Sequence, residues 1–138
     1  MSSLFSTMNI SSSGMSAQRI RMDIIASNIA NAQTTRTPQG EGPYRRKEVV
    51  FATLLEDMKK GERGVDMVGI FPDPSPFKMV YKPQHPDANA QGYVSMPNVN
   101  IVTEMIDIIS ATRAYEANVT AFKSTQNMIL KAMEIGRR

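Results

Sequence analysis

Hydrophobic side chains recur every seven residues in the N-terminal part of the chain. Met1, Met8, Met15, Met22 and Ile29 occupy one heptad position. The position three residues further on is filled by a second set: Leu4, Ser11, Gln18, Ile25 and Ala32. A strict seven-residue repeat keeps one stripe of a helix turned toward a partner helix. The pattern therefore predicts a long N-terminal helix that pairs in a left-handed coiled coil.

The C-terminal part repeats this design. One column consists of Ile101, Ile108, Tyr115, Phe122 and Ile129. The adjacent column consists of Met105, Thr112, Val119, Gln126 and Met133. Asn98 or Asn100 can cap the start of this helix, and Gly136 is placed to end it. We expect the two helices to pair. Because the first helix carries few charges, assembly with further helices is favoured over a helical hairpin in a monomer.

The middle of the chain has a different pattern. All eight prolines lie between Pro38 and Pro97, and proline is excluded from helix interiors. Strand-type residues occur in four runs, at 44–51, 65–71, 77–81 and 93–96. Thr53 and Glu56 form a capping-box pattern, which favours either a short helix before Gly61 or a mobile loop.

These patterns predict an α+β fold with long N- and C-terminal helices paired as a coiled coil and a small, mainly β middle domain. Residues 1–37 are expected to form the N-terminal helix of the coiled-coil core. Residues 38–97 are expected to form a β-rich outer domain with loops, and residues 98–138 the C-terminal helix of the core.

Composition removes most catalytic chemistry. The chain has no cysteine and one histidine, His85, so thiolate nucleophiles, disulfides and clusters of imidazole ligands are excluded. His85 lies in a proline-bounded loop, where stabilisation of a turn is the simpler role. Glu104 and Asp107 are spaced to decorate one face of a helix. We therefore expect a protein that is not an enzyme, with no catalytic, cofactor-binding or metal-binding residues and no small-molecule substrate.

The net charge of +3 raises the question of a nucleic-acid partner. The basic residues are scattered, with acidic residues near the clusters at 45–47 and 59–60, so no phosphate track is indicated. A nucleic-acid-binding protein and an amphipathic protein of membrane surfaces remain as alternatives. The N-terminus lacks a basic region followed by an apolar run, so no cleaved signal peptide is expected.

Residues 27–34 read SNIANAQT and resemble the Asn-hydrophobic-Ala-Asn-x-x-Thr signature of the flagellar axial proteins, which include rod, hook and hook-associated proteins. Residues 35–46 depart from the Gly-aromatic continuation usual in hook and distal-rod members and are similar to the proximal rod member. Residues 82–88, 92–100 and 104–118 extend this resemblance to essentially the whole chain.

The resemblance implies a structural subunit of the proximal rod in the bacterial flagellar basal body. In that family the terminal helices pair and pack around an export channel, giving a hollow shaft that transmits torque. It also implies passage through the flagellar type III export apparatus without a cleaved signal, and polymerisation in the periplasm. The implied partners are copies of the chain, other rod proteins and the junction between the MS ring and the rod.

The expected assembly interface combines the helix columns with the axial signature. Its residues are Met8, Met15, Met22, Ile25, Ser27, Asn28, Ile29, Asn31, Thr34, Ile101, Met105, Ile108, Tyr115, Asn118, Val119, Phe122 and Ile129.

Overall fold

Two long helices and two β hairpins make up the protein in a computed structural model that describes residues 2–38, 42–54 and 64–136. The elements, in chain order, are α1 (Ser2–Ala30), β1 (Lys47–Leu54), β2 (Gly64–Pro72), β3 (Lys78–Tyr81), β4 (Tyr93–Met96) and α2 (Ile101–Ile135). The helices pack against each other, and the strands form two separate antiparallel pairs. The predicted α+β fold is thereby confirmed.

Both helices end where local chemistry stops them. Asn100 caps α2, because its side chain accepts a hydrogen bond from the backbone N–H of Val102. Gly136 ends the helix, donating its N–H to the carbonyl of Ala132. Helix α1 stops at Ala30 rather than at residue 37, because the side chain of Asn31 folds back and donates to the carbonyl of Ser27 at 2.9 Å.

Strands β1 and β2 form the longer hairpin, called the long hairpin below. Its register runs from Lys47 opposite Pro72 to Leu54 opposite Gly64, with a bulge beside Val50. The strand predicted at 44–51 therefore begins three residues later and extends further. Thr53 belongs to this strand and not to a helix cap, while the rest of the predicted short helix lies outside the described residues.

The second hairpin joins β3 and β4 through the loop at 82–92. Its register runs from Lys78 opposite Met96 to Tyr81 opposite Tyr93, and the two tyrosine rings meet edge to face at 5.3 Å. Gly92 has a φ of 80° and lies so close to Tyr81 that a Cβ would be 2.9 Å from its ring. Glycine is thus required where the loop re-enters the hairpin.

Candidate assembly interface

The contact surface between α1 and α2, called the seam below, is antiparallel. Asn28 meets Glu104 near one end, and Gly14 faces Asn118 nearer the other, with equal spacing along both helices. A Cβ on Gly14 would lie 3.0 Å from the amide nitrogen of Asn118. Small residues at the seam let the backbones approach closely, so the helices pair over much of the length of α1.

The buried side chains on the α2 side of the seam are small or polar. Glu104, Ala111 and Thr125 are buried, and Asn118, at the same heptad position, is half-buried. The predicted hydrophobic column lies beside this one, with its four later members half-buried: Ile108, Tyr115, Phe122 and Ile129. The buried column of the seam thus lies three residues after this predicted column and one residue before the other predicted column, which begins at Met105.

Two predicted residues lie outside the seam. The side chain of Ile101 is 40% exposed and that of Met105 is 53% exposed. Neither packs between the two helices of one subunit, because the polar column that begins at Glu104 takes the inward position. Val119, from the same predicted column as Met105, is half-buried. A role for Ile101 and Met105 between subunits stays a prediction.

The α1 side of the seam includes members of both predicted heptad columns together with residues outside them. Ile25 is buried, together with Ser11 and Ala17. The flanking column is half-buried throughout: Met8, Met15, Met22 and Ile29. The side-chain oxygen of Gln18 is buried and has no hydrogen-bond partner among the described residues. The seam therefore mixes apolar contacts with polar groups that have strict geometric needs.

A cluster of hydrogen-bonded side chains lies where α1, β1 and α2 meet; we call Asn28, Tyr44, Arg46 and Glu104 the polar junction. The amide of Asn28 donates to the carbonyl of Lys47 at 2.9 Å and to Glu104 Oε2 at 3.0 Å. Its oxygen accepts from the Tyr44 hydroxyl at 2.9 Å and from the Lys47 N–H at 3.0 Å. All four hydrogen-bonding positions of this amide, which is 1% exposed, are therefore occupied.

Glu104 is the centre of the polar junction, contrary to the expectation that it decorates an exposed helix face. Its side chain is fully buried, and Oε1 accepts from Nε of Arg46 at 2.6 Å. A charge is tolerated in such a place only with partners that satisfy it. Here one carboxylate oxygen is bound by Arg46 and the other by Asn28.

Arg46 connects the polar junction to the middle of the chain. Besides Glu104, its guanidinium pairs with Glu48 and with Asp73, and its backbone N–H donates to the side chain of Asn98 at 2.8 Å. Burial lowers the pKa of Arg46, but the hydrogen bonds and charges of Glu104 and Glu48 outweigh it and raise that pKa above its ordinary value. Arg46 thus brings one positive charge to three carboxylates at once.

The remaining residues of the axial signature shape the chain after α1. Ser27 lies 3.3 Å from the Tyr44 hydroxyl, and Thr34 donates to the side chain of Asn31 at 3.3 Å. The carbonyl of Thr34 accepts the N–H of Tyr44. These contacts are all internal to one subunit. The signature thus ends α1 and directs the chain into β1, and its predicted role between subunits remains a prediction.

Exposed apolar side chains occur in two places on the helix pair. The first, called the α2 face below, spans the first turns of α2 and consists of Val102, Met105, Ile106 and Ile109. The second lies at the opposite end of the pair and consists of Phe5, Met128, Leu130, Met133 and Ile135. The four residues of the α2 face are spaced at i, i+3, i+4 and i+7 and therefore share one side of the helix, and an exposed apolar face of this kind marks an interaction surface.

No metal site or membrane span is found in the part of the chain that the structure describes. Within it, no group of three or more His, Asp or Glu side chains is arranged to hold an ion. No described helix combines the length and hydropathy needed to cross a bilayer. Nδ1 of His85 accepts the backbone N–H of Asp87 at 3.1 Å, a contact that stabilises the loop at 82–92.

Family models match both helical regions. The model described as "Flagella basal body rod protein" matches residues 8–36, which cover most of α1 and the axial signature. The model described as "Flagellar basal body rod FlgEFG protein C-terminal" matches residues 90–135, which cover β4 and α2. The two matched segments are the ones that the seam and the polar junction bring together.

Relatives match over nearly their whole length. The flagellar basal-body rod protein FlgC of Bacillus subtilis is 46% identical, over 96% of this chain and 98% of that protein. FlgC of Borreliella burgdorferi is 45% identical, over 96% and 97%. FlgC of Salmonella typhimurium is 39% identical, over 97% and 98%. The chain therefore belongs to the flagellar basal-body rod proteins, and within them to the FlgC family.

Proposed function

We propose that this chain is a structural subunit of the bacterial flagellar basal-body rod, which assembles through its terminal helices with copies of itself and with other rod proteins. It works as a building element and not as an enzyme. The observation that carries this proposal is the α2 face, an apolar stripe turned away from α1 and left uncovered in the single subunit. Membership in the rod family supports the proposal, and neither alternative function gains support.

The helix pair gives the subunit its mechanical character. The antiparallel seam and the polar junction connect α1 and α2 at several points along their length. Neighbouring subunits would bury the α2 face and the apolar surface at the opposite end. A shaft built from such pairs would resist twisting, since each helix is restrained both within its subunit and by its neighbours. On this view the subunits transmit torque in a hollow proximal rod.

Further details of the proposal come from the resemblance to rod proteins. We propose export through the flagellar type III apparatus without a cleaved signal peptide, polymerisation in the periplasm, and contact with the junction between MS ring and rod. The absence of cysteine is compatible with passage into an oxidising space. We also propose that the chain divides at 37/38 and at 97/98, with the helical core on the terminal sides and the outer domain between these positions.

The α2 face can be tested by placing a charge on it. We expect Ile106→Asp to prevent incorporation into the rod and to abolish swimming in soft agar, because an aspartate buried between subunits would be desolvated without a partner. Since Ile106 is exposed in the subunit, purified Ile106→Asp should keep its helix content by circular dichroism.

Thr120→Asp is the matched control, because Thr120 is exposed on α2 two turns or more beyond the α2 face. This variant should assemble and swim normally. Swimming by cells that carry Ile106→Asp, with the variant present in purified basal bodies, would contradict assembly through the α2 face.

A further inference from the structure

The long hairpin lies on α1 without a deep apolar core beneath it. Much of its apolar surface remains open to solvent, including Met67, Val68, Ile70 and Phe71, which are all exposed. Apolar burial is non-directional, and a two-stranded sheet is marginal on its own. Some other contact must therefore decide where the hairpin lies on the helix pair.

Two sets of directed hydrogen bonds join the long hairpin to α1, one near each end of the hairpin. At the end near Lys47, the amide of Asn28 binds both the N–H and the carbonyl of Lys47, as a neighbouring strand would. At the end near Gly64, Oγ of Ser13 accepts the N–H of Val65 at 3.2 Å. The second set is a single bond, so the first carries most of the directional restraint.

The hydrogen bonds at the Lys47 end of the long hairpin depend on one another. Glu104 is fully buried and depends on Asn28, 76 residues away, and on Arg46, 58 residues away. If the long hairpin leaves, Arg46 leaves with it, and Glu104 remains as a buried charge that has lost its cation. Detachment of the long hairpin therefore also destabilises the first turn of α2, where Glu104 lies.

We propose that the polar junction is a latch that fixes the orientation of the long hairpin on the helix pair and makes α1, the hairpin and α2 unfold as one unit. Arg46 and Glu104 are positioning residues in this device: they act through the placement of the hairpin and not through contact with a partner. The latch acts within the single subunit and is separate from the contacts that assemble the rod.

Urea unfolding of the full chain tests the coupling with two probes. The chain has no tryptophan, so Val68→Trp, at an exposed site on β2, places a single fluorescent reporter in the long hairpin. Circular dichroism reports the helices. In the reporter background both signals should change at the same urea concentration. With Arg46→Ala added, the tryptophan midpoint should fall below the helix midpoint by about 1 M urea.

Arg46→Lys should give a smaller separation, because lysine keeps the charge but lacks the planar fork that reaches several carboxylates. This variant decides the question if Arg46→Ala does not fold. Arg113→Ala, which removes an exposed arginine on α2, is the control and should leave the midpoints together. Coincident midpoints in both Arg46 variants, or separate midpoints in the parent, would overturn the proposal.

A distance measurement tests the orientation directly. The chain has no cysteine, so spin labels on Val68→Cys and Thr120→Cys would report one distance between the long hairpin and α2. The parent should give a single narrow distribution. Glu104→Gln keeps the size of the side chain but removes its charge, and should broaden that distribution. An equally narrow distribution in Glu104→Gln would count against the latch, whatever the effect on stability.

Discussion

At the scale of single residues, polar side chains decide the geometry of this protein. Asn28 uses all of its hydrogen-bonding capacity inside one subunit, and Glu104 is buried at the first turn of α2. A carboxylate near a helix N-terminus is favoured by the helix dipole, which adds to the pairing with Arg46. Asn28 and Glu104 are residue types that are usually exposed, and here they connect segments that lie far apart in the chain.

Gly14 offers a test at this scale. Replacement by leucine should destabilise the subunit by about 1–3 kcal/mol, because the new side chain would collide with Asn118 and push the helices apart. Urea unfolding measures the change.

Ser12→Leu, at an exposed position on the same helix, is the control and should cost much less. Combining Gly14→Leu with Asn118→Ala should recover part of the loss, because the shorter side chain makes room. Equal stability of Gly14→Leu and Ser12→Leu would show that the close approach is unimportant.

At the scale of elements, the heptad repeats predict both helices, and the four runs of strand-type residues predict all four strands. Periodicity could place Ile25 and Phe122 at the seam because each lies in a column that recurs every seven residues. It could not place Glu104 there, because the burial of a charge depends on a partner that pattern analysis does not pair with it. Arg46, the partner, lies in a stretch with a strand pattern and a basic cluster, neither of which indicates a buried ion pair.

A substitution at Phe122 tests whether the contact between α1 and α2 stabilises the subunit. Phe122→Asp places a charge in a half-buried position without a cation to pair with it, and should destabilise the helix pair by several kcal/mol, about 3 or more. Ile29→Asp should act in the same way from α1. Rod assembly and swimming should be lost in both variants.

Ala121→Asp, at the exposed neighbouring position, separates the effect of burial from that of helix propensity. It should cost less than about 1 kcal/mol and leave swimming intact. Normal motility and normal thermal stability in Phe122→Asp would rule out the seam as a structural contact.

At the scale of the whole molecule, two carboxylates connect parts of the chain that secondary structure leaves separate. Asp87 accepts from Thr35 at 2.8 Å and pairs with Arg36, joining the loop at 82–92 to the turn after α1. Asp73 accepts from Ser75 and pairs with Arg46. Hydrogen bonds from Thr35 and from Ser75, respectively, are the main causes that hold the pKa of each carboxyl below its ordinary value of 3.8.

These lowered pKa values predict acid sensitivity. A group whose pKa is lower in the folded state stabilises the fold above its unfolded pKa, and this contribution is lost as the pH falls through the folded pKa. The melting temperature should therefore be flat above about pH 5 and decline below about pH 4. Asp87→Asn should melt lower than the parent near neutral pH and decline less steeply in acid.

Asp23→Asn is the control for the acid experiment, because Asp23 is exposed on α1. Its melting curve should follow that of the parent across the acid range. A parent and an Asp87→Asn variant with the same acid profile would show that the contact between Asp87 and the turn contributes nothing to the fold.

The polar junction lies near one end of the helix pair, so the angle that it fixes determines where the other end of the pair lies. Helix α1 has 29 residues and is therefore about 43 Å long, so a change in the angle between the long hairpin and the helix pair at the junction displaces the far end of the pair most. A rotation of about 5° at the junction would displace the far end by about 3.5 Å, close to the full range of a side-chain contact. Small errors beside Glu104 are thus magnified into lost contacts at the apolar end near Phe5 and Ile135.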